Sequence, residues 1–264
     1  MKSILETITE SKRREVERQK KRKSAEELTA GFNFQRECIS LKDHLMKEGA
    51  SGIISEFKRK SPSKGAIHAG ARVDKVTRGY AAAGASGLSV LTDHDFFGGT
   101  LSDLATARKV NPEMPILRKD FIIDPYQLTE AKAYGADVVL LIAACLTRQE
   151  IEDFAGKTKE LGMEVLLEIH GEMELEKISP MADLIGVNNR NLKTFAVNPE
   201  TSLRLADFIP ARYTRISESG LSSPETIRQL RRAGYSGFLI GETFMKTTDP
   251  ARACQAFIEE TGSR

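Results

Sequence analysis

Short apolar runs that end in polar or charged residues recur along this chain. The first covers residues 53–57 and leads through Lys58 into a turn with Pro62 and Gly65. Seven further runs follow, at residues 87–92, 115–117, 137–142, 164–167, 183–187, 213–217 and 237–240. Their length and their content of β-branched residues predict eight strands.

Segments of helical composition separate these runs. They lie at residues 73–83, 126–134, 148–161 and 224–233. Glycines suited to a helix C-terminus follow them: Gly84, Gly135, Gly162 and Gly234. Strands that alternate with helices predict parallel βα units, and eight units over roughly 210 residues fit a (β/α)8 barrel better than an open doubly wound sheet. No G-x-G-x-x-G follows the first strand, which argues against a dinucleotide-binding fold.

We therefore predict the α/β class, with a (β/α)8 TIM barrel as one domain over residues 1–264. About residues 1–48 are expected to form an N-terminal helical extension. A chain of this length is too short for a second domain of ordinary size. The first residues run into charges instead of an apolar segment, so the sequence predicts neither a signal peptide nor a membrane span. We expect a cytoplasmic protein with no membrane partner.

The extension is rich in Lys and Arg over residues 11–23, a pattern that can indicate binding to nucleic acid or to an anionic membrane. Acidic residues interleave with these bases: Glu6, Glu10, Glu15 and Glu17. The net charge of the chain is only +2, so we expect no nucleic-acid partner. A narrow apolar stripe predicts a solvated helix that leans on the barrel, and it consists of Ile4, Leu5, Ile8 and Val16.

The cysteines and histidines give no sign of a metal site or a disulfide framework. The three cysteines are odd in number and lack C-x-x-C spacing, and the four histidines lack H-x-H or H-E-x-x-H spacing. The acidic residues beside His94 fit a polar turn after a strand better than a ligand cluster. We predict no metal.

The polar ends of the strands are the candidate active site, because barrels of this kind place their sites at the carboxyl ends of the strands. Period-2 alternation selects six side chains that point inward: Glu56, Lys58, Lys119, Glu168, Asn188 and Glu218. Crowding should lower the pKa values of some lysines and raise those of some carboxylates, as acid–base chemistry requires. Two other interpretations of these charged residues stay open. The run at residues 53–57 could be an edge strand whose charges face water. The inward charges could also form a ring of ion pairs that has no catalytic role. The ring is disfavoured because burying many charges for stability alone is unfavourable.

Glycines follow the last two predicted strands, beside Ser219 and Glu242. The pairs Ser219-Gly220 and Gly241-Glu242 stand where barrels of this class bind phosphate through backbone N–H groups and a helix N-terminus. Each pair alone is also typical of an ordinary turn. Together they predict a small phosphorylated substrate.

Several segments resemble the indole-3-glycerol-phosphate synthase family. They cover residues 56–63, 91–93, 117–122, 167–170, 186–192, 217–220 and 239–242, and the first and third are the most specific. The resemblance implies a carboxy-lyase of tryptophan biosynthesis. Its reaction converts 1-(2-carboxyphenylamino)-1-deoxyribulose 5-phosphate to indole-3-glycerol phosphate, with loss of carbon dioxide and water and without an organic cofactor.

The resemblance also implies roles for the catalytic residues. Lys119 is expected to protonate the substrate ketone as the ring carbon attacks it. Glu168 and Glu56 are expected to transfer protons during decarboxylation and dehydration. Lys58 is expected to contact the anionic groups of the substrate and to act as a second proton donor.

The remaining site residues are expected to bind substrate. Ser61 holds the carboxylate, Asn188 and Arg190 orient the substrate, and Glu218 supports the lysines. The phosphate is bound by Ser219, Gly220, Gly241 and Glu242.

Two competing functions stay open on the sequence. Another phosphate-binding barrel enzyme of sugar or amino-acid metabolism could share Ser219-Gly220 and Gly241, but it is not expected to carry Glu56, Lys58 and Lys119 in these sequence frames. A non-catalytic scaffold should have lost at least one inward charge. The sequence also leaves open the oligomeric state and any association with other enzymes of tryptophan biosynthesis.

Overall fold

The computed structural model describes residues 3–262, within which eight parallel strands close into a barrel. The strands are β1 Ile53–Phe57, β2 Gly87–Leu91, β3 Ile116–Lys119, β4 Val138–Ile142, β5 Glu164–Ile169, β6 Leu184–Asn188, β7 Thr214–Glu218 and β8 Gly237–Ile240. Because β1 pairs with both β2 and β8, the sheet is continuous around the barrel. The predicted (β/α)8 fold is confirmed, with strand ends shifted by one or two residues.

Helices surround the barrel and precede it. They are α1 Ile4–Arg22, α2 Ala25–Thr29, α3 Leu41–Met46, α4 Val73–Ala82, α5 Leu101–Val110, α6 Tyr126–Ala133, α7 Arg148–Glu160, α8 Glu200–Leu205, α9 Pro224–Arg232, α10 Glu242–Met245 and α11 Pro250–Thr261. A 3-10 helix, Glu172–Lys177, connects β5 to β6. No helix in the described part of the chain is long and apolar enough to cross a membrane.

The glycines predicted to end helices adopt the left-handed backbone conformation. In chain order, the φ angles of Gly84, Gly135, Gly162 and Gly234 are +91°, +93°, +74° and +89°. Residues with a Cβ adopt this region at a cost, so glycine lets each helix stop and turn back to the next strand. This part of the sequence prediction is confirmed.

Alternate residues of each strand face two different apolar layers. The barrel interior contains Ile54, Leu117, Leu140, Leu166, Leu184, Ile216 and Leu239. Their strand neighbours, such as Ile53 and Phe57, pack outward against the helices. The alternation expected for inward and outward positions therefore holds around the barrel.

The extension closes the barrel at the amino ends of the strands. Leu41 and Leu45 of α3 belong to the interior cluster and are fully buried. Gly237 at the start of β8 leaves room for Leu45, because a Cβ there would lie 3.2 Å from Leu45 Cδ1. The Glu164 carboxylate fixes the start of α3 by accepting hydrogen bonds from Leu41 N at 2.8 Å and from Ser40 Oγ at 2.5 Å.

At the opposite end of the barrel, α1 lies over the mouth. A capping box at Ser3 begins the helix. Ile8, Lys12 and Val16 are 4%, 1% and 3% exposed, so the face toward the barrel is buried. The helix leans on the barrel as predicted, but it also buries a lysine, which the predicted apolar stripe did not include.

Candidate active site

A cavity of about 550 Å³ opens at the carboxyl ends of the strands. Its lining contains every residue that the sequence predicted for the site: Glu56, Lys58, Ser61, Lys119, Glu168, Asn188, Arg190, Glu218, Ser219, Gly220, Gly241 and Glu242. These residues come from loops and strands spread over almost 190 positions of the chain, between 56 and 242. The fold therefore brings the predicted residues into one place.

Strand β1 delivers a carboxylate and an ammonium to the same side of the mouth. Lys58 Nζ donates a hydrogen bond to Glu56 Oε1 at 2.7 Å. The two side chains share a face because one residue separates them in an extended strand. Ser89 Oγ donates to the other Glu56 oxygen at 3.4 Å. Glu56 is 4% exposed, so its charge is compensated mainly by Lys58.

Lys119 lies between two carboxylates from other strands. Its Nζ donates to Glu168 Oε2 at 2.8 Å and to Glu218 Oε2 at 2.9 Å. Gly186 leaves the room for this arrangement, because a Cβ at that position would collide with Glu218 Oε1. The ends of β3, β5 and β7 therefore hold one ammonium in a defined place.

The pKa of Lys119 is raised above the usual value for a lysine. Burial alone would lower it, but the charges of Glu168, Glu218 and Glu56 outweigh burial and raise it. The lowered pKa expected for some lysines of the site is therefore not found at Lys119. The protonated amine is the stable form, and a general acid has to begin in that form.

The two carboxyl groups beside Lys119 have opposite pKa shifts. Burial raises the pKa of Glu218 to about 7, with repulsion from Glu168 adding to the effect and Lys119 opposing it. For Glu168, burial is outweighed by the positive charges of Lys119 and His170, which lower its pKa to about 2. One group thus stays ionised while the other can hold a proton near neutral pH, a division that acid–base catalysis uses.

His170 is a neighbour of this cluster that the sequence reasoning did not select. Its Nε2 lies 3.3 Å from Glu168 Oε1, and its Nδ1 lies 3.5 Å from Glu174 Oε2. Burial would lower its pKa, but the carboxylates of Glu174 and Glu168 raise it. A signal was present in the sequence, because His170 stands two residues after Glu168 at the end of a strand, where alternation places both side chains on one side.

Arg190 and the loop after β1 lie together over the mouth. The loop contains an antiparallel hairpin, Lys60–Ser61 with Gly65–Ala66. Arg190 Nη1 donates to Phe195 O at 3.1 Å and to Ser63 Oγ at 3.4 Å. Asn188 Oδ1 accepts a hydrogen bond from Arg190 N at 3.0 Å. The polar residues predicted to orient a substrate are thus joined to the loop after β1.

The turn after β7 has an unusual backbone. Ser219 and Gly220 have φ angles of +69° and +74°. A left-handed conformation at a residue with a side chain is strained, and such residues concentrate at functional sites. Directly after the next strand, Gly241 immediately precedes α10. Backbone N–H groups at turns and helix starts of this kind can bind an anion.

The cavity also has an apolar wall that the sequence reasoning missed. It is formed by Ile4, Leu5, Ile8, Phe97, Phe121, Leu192 and Phe195. The rings of Phe97 and Phe121 have centroids 6.0 Å apart. Most of these residues come from loops and the extension, where strand alternation gives no signal. The wall can accept a flat aromatic group beside the charged cluster.

No group of three or more His, Cys, Asp or Glu side chains able to hold a metal ion occurs within residues 3–262.

Comparison with known proteins assigns the chain to a family. Residues 5–257 match the indole-3-glycerol phosphate synthase family. The chain belongs to this family. The indole-3-glycerol phosphate synthase of Bacteroides thetaiotaomicron is 52% identical over 259 residues, which cover 98% of this chain and 99% of that protein. The indole-3-glycerol phosphate synthase of Salinibacter ruber is 44% identical over 253 residues, which cover 95% of this chain and 93% of that protein.

Solved structures with low sequence identity share the barrel. The 3-hexulose-6-phosphate synthase of Salmonella typhimurium has a TM-score of 0.64 at 12% identity, covering 80% of this chain and 98% of that one. The thiamine phosphate pyrophosphorylase of Pyrococcus furiosus has a TM-score of 0.61 at 14% identity, and the match covers 84% of this chain and 99% of that one. These likenesses show the fold alone. Membership of the indole-3-glycerol phosphate synthase family confirms the predicted activity, a decarboxylating lyase of tryptophan biosynthesis.

Proposed function

We propose that Lys119 is the general acid that closes the indole ring of 1-(2-carboxyphenylamino)-1-deoxyribulose 5-phosphate in this cavity. The observation that carries the proposal is the Lys119 ammonium, which lies 2.8 and 2.9 Å from carboxylates on two other strands. This arrangement keeps the amine protonated and fixes its position. Both are needed by a group that donates a proton as charge develops on a ketone oxygen.

In the ring-closing step, the aromatic carbon that bears the carboxylate attacks the ketone carbon. The ketone oxygen takes a proton from Lys119 and becomes a hydroxyl. Carbon dioxide then leaves, and its bonding electrons restore the aromatic ring. Each of these events moves charge close to Lys119, where a fixed ammonium stabilises the transition state more than the ground state.

In the dehydrating step, the hydroxyl leaves as water and a base removes a proton from the carbon next to the ring nitrogen. Glu168 is proposed as this base, because its pKa is held low and it is ionised at neutral pH. Glu56 is proposed to share in the proton transfers, and Lys58, 2.7 Å from it, is the second acid. Glu218 is proposed to hold Lys119 in place.

The polar rim is proposed to bind the two anionic ends of the substrate. Ser61 and Lys58 bind the carboxylate, while Asn188 and Arg190 orient the chain between the two ends. The phosphate is proposed to bind at Ser219, Gly220, Gly241 and Glu242, mainly through backbone N–H groups. Support comes from the left-handed turn at Ser219 and from the position of Gly241 at the start of α10.

The apolar wall is proposed to hold the benzene ring of the substrate. The cavity of about 550 Å³ is within the usual range for a small-molecule site. We also propose that the enzyme acts in the cytoplasm as one barrel domain with its extension. A net charge of +2 gives little support for a polyanion partner such as nucleic acid.

The proposal is tested by mixing the purified protein with the substrate and following indole fluorescence. The chain contains no Trp, so indole emission has to come from the product. Lys119→Met, purified in parallel, reports background formation. Inorganic phosphate should compete with the substrate if the proposed phosphate site is right. Absence of emission with folded wild-type protein would overturn the proposal.

A further inference from the structure

Lys12 carries a buried positive charge from the extension to the barrel. Its side chain is 1% exposed, and its Nζ lies 2.9 Å from Glu15 Oε2, 3.0 Å from Asp93 Oδ2 and 2.9 Å from Asp120 Oδ1. Burial would lower the pKa of Lys12, but the three carboxylates raise it, so the amine stays charged. A buried ammonium with three partners holds those partners in one geometry, because removing it leaves their charges uncompensated.

Two of the carboxylates on Lys12 fix the chain where it leaves the barrel strands. Asp93 follows the end of β2, and its Oδ1 accepts hydrogen bonds from Phe96 N at 2.8 Å and Phe97 N at 3.2 Å. Asp120 directly follows the end of β3, and its Oδ1 accepts from Phe121 N at 2.8 Å. Lys12 therefore joins the first residues of two loops that enter the cavity.

These loops carry residues of the proposed site. Phe97 and Phe121 belong to the apolar wall, and their rings have centroids 6.0 Å apart. Lys119 is the last residue of β3 and directly precedes Asp120 in the chain. A displacement of the backbone at Asp120 would move both the wall and the proposed acid.

The other side of Asp120 is held by the barrel itself. Its Oδ2 accepts hydrogen bonds from Thr92 Oγ1 at 2.6 Å and from Arg118 Nη2 at 3.0 Å. Arg118 also lies 2.8 Å from Glu130 Oε2. The barrel contacts hold one oxygen of Asp120, and the Lys12 contact holds the oxygen that faces the extension.

We infer that Lys12 is a positioning residue for the reaction. Through Asp93 and Asp120 it sets the ends of β2 and β3, and so places the aromatic wall and Lys119 relative to the substrate. It also fixes the register of α1, whose Ile4, Leu5 and Ile8 line the cavity. The inference rests on the proposed roles of Lys119 and the apolar wall.

The first test compares two lysines of the same helix. Lys20 also joins α1 to the barrel, with its Nζ 2.6 Å from Asp124 Oδ2, but its side chain is 46% exposed. Lys12→Met should lower kcat/KM about 100-fold, because small displacements of positioned groups have effects of this size. Both kcat and KM should change, since the acid and the wall both move. Lys20→Met should stay within about 3-fold of wild type, as exposed ion pairs contribute little.

A second pair of variants separates positioning from folding. Lys12→Met leaves Asp93 and Asp120 without their ammonium, so Lys12→Met combined with Asp93→Asn removes one charge of each sign. Asp93→Asn alone keeps Lys12 paired with Asp120 and Glu15, and its amide oxygen can still accept from the loop. The double variant should remain folded. Its kcat/KM should be at least about 30-fold lower than that of Asp93→Asn.

The pH profile gives a readout that a purely structural role would not change. Burial works against the ionised form of Asp120, but Lys12 and Arg118 outweigh burial and lower its pKa to about 2. Without Lys12 that pKa should rise. Lys12→Met should therefore lose activity as the pH falls through the new pKa, whereas wild type should show no such acid limb from this group. The charged groups around this cluster are Lys12, Arg118, Asp93, Asp95, Asp120, Glu15 and Glu130.

The outcomes distinguish this inference from the proposed function. Wild-type catalytic constants in Lys12→Met or in the double variant, with only the urea midpoint lowered, would overturn it. Failure of the double variant to fold would also overturn it, because Lys12 would then hold the fold and not the site. Retained turnover in Lys119→Met would instead overturn the proposed function, whatever Lys12 does.

Discussion

Gly241 lies directly against the side chain of Glu56. A Cβ atom at position 241 would lie 2.6 Å from Glu56 Oε1 and 3.0 Å from Glu56 Cβ. The contact is possible because β1 and β8 are neighbouring strands. The proposed phosphate site and a proposed proton-transfer residue therefore share a packed surface, and a change in one is transmitted to the other.

Gly241→Ala should for this reason impair chemistry as well as binding. We expect kcat to fall about 10-fold or more and KM to rise, because the added methyl group displaces Glu56. Steady-state kinetics by product fluorescence would measure both. Gly70→Ala is the matched control, since nothing lies within 4 Å of a Cβ at that position. A rise in KM with unchanged kcat would show that Glu56 tolerates the displacement.

Lys119→Met should lower kcat at least about 100-fold, the usual contribution of a general acid. The variant removes the proton donor and leaves Glu168 and Glu218 facing each other without an ammonium. Circular dichroism would check that the barrel persists. Lys159→Met is the control, because Lys159 pairs with Asp183 on the surface and is 42% exposed. A decrease of only a few-fold would reject Lys119 as the acid.

Glu56 and Lys58 should behave as one unit. Their side chains are 2.7 Å apart, so removal of either leaves the other without its partner. Glu56→Gln and Lys58→Met should each be severely impaired, while the double variant should be little worse than the poorer single one. A double-mutant cycle in kcat/KM measures this coupling. Additive losses would mean that the two groups act independently.

Glu218 should make the stability of the enzyme depend on pH. Burial raises its pKa in the folded protein from 4.5 to about 7, so the folded state binds the proton more tightly than the unfolded state. The resulting stabilisation is present below pH 4.5 and is lost as the pH rises through 7. Glu218→Gln should remove the part of the decrease in unfolding free energy over this range that comes from this proton.

Urea unfolding at a series of pH values would measure this dependence. Glu160→Gln is a suitable control, because Glu160 is 68% exposed and lies on the outer surface of α7. Equal pH dependence in wild type and Glu218→Gln would show that Glu218 does not carry the buried proton.

The parts of the site that the sequence predicted are those encoded by local patterns. Glu56 and Lys58 fall on one face because strands alternate, and the polar ends of the strands meet because the strands are parallel. Lys12 was visible in principle, since it stands four residues from both Ile8 and Val16 and so lies within their apolar stripe. Its three carboxylate partners are far away in sequence, and no local pattern indicates them.

The other misses have a similar cause. Phe97 enters the cavity from a loop, where neither strand nor helix periodicity applies. The direction of the Lys119 pKa shift depends on the distances from its amine to carboxylates on three other strands. Knowing which charged residues line the mouth of the barrel does not give those distances. Sequence patterns therefore predicted which groups meet, while their pairing depends on the three-dimensional arrangement of the strand ends.

The leucines that close the amino end of the barrel also impose an order on folding. Both leucines precede every strand, yet Leu45 lies against Gly237 of the last strand, while Leu41 lies against Gly87 of the second. During synthesis both leave the ribosome before any strand, but the contact of Leu45 with β8 has to wait until that strand has been made. A nascent chain that stops before β8 thus keeps Leu45 without this native contact. One of the last contacts formed in the barrel is then made by one of the first residues translated.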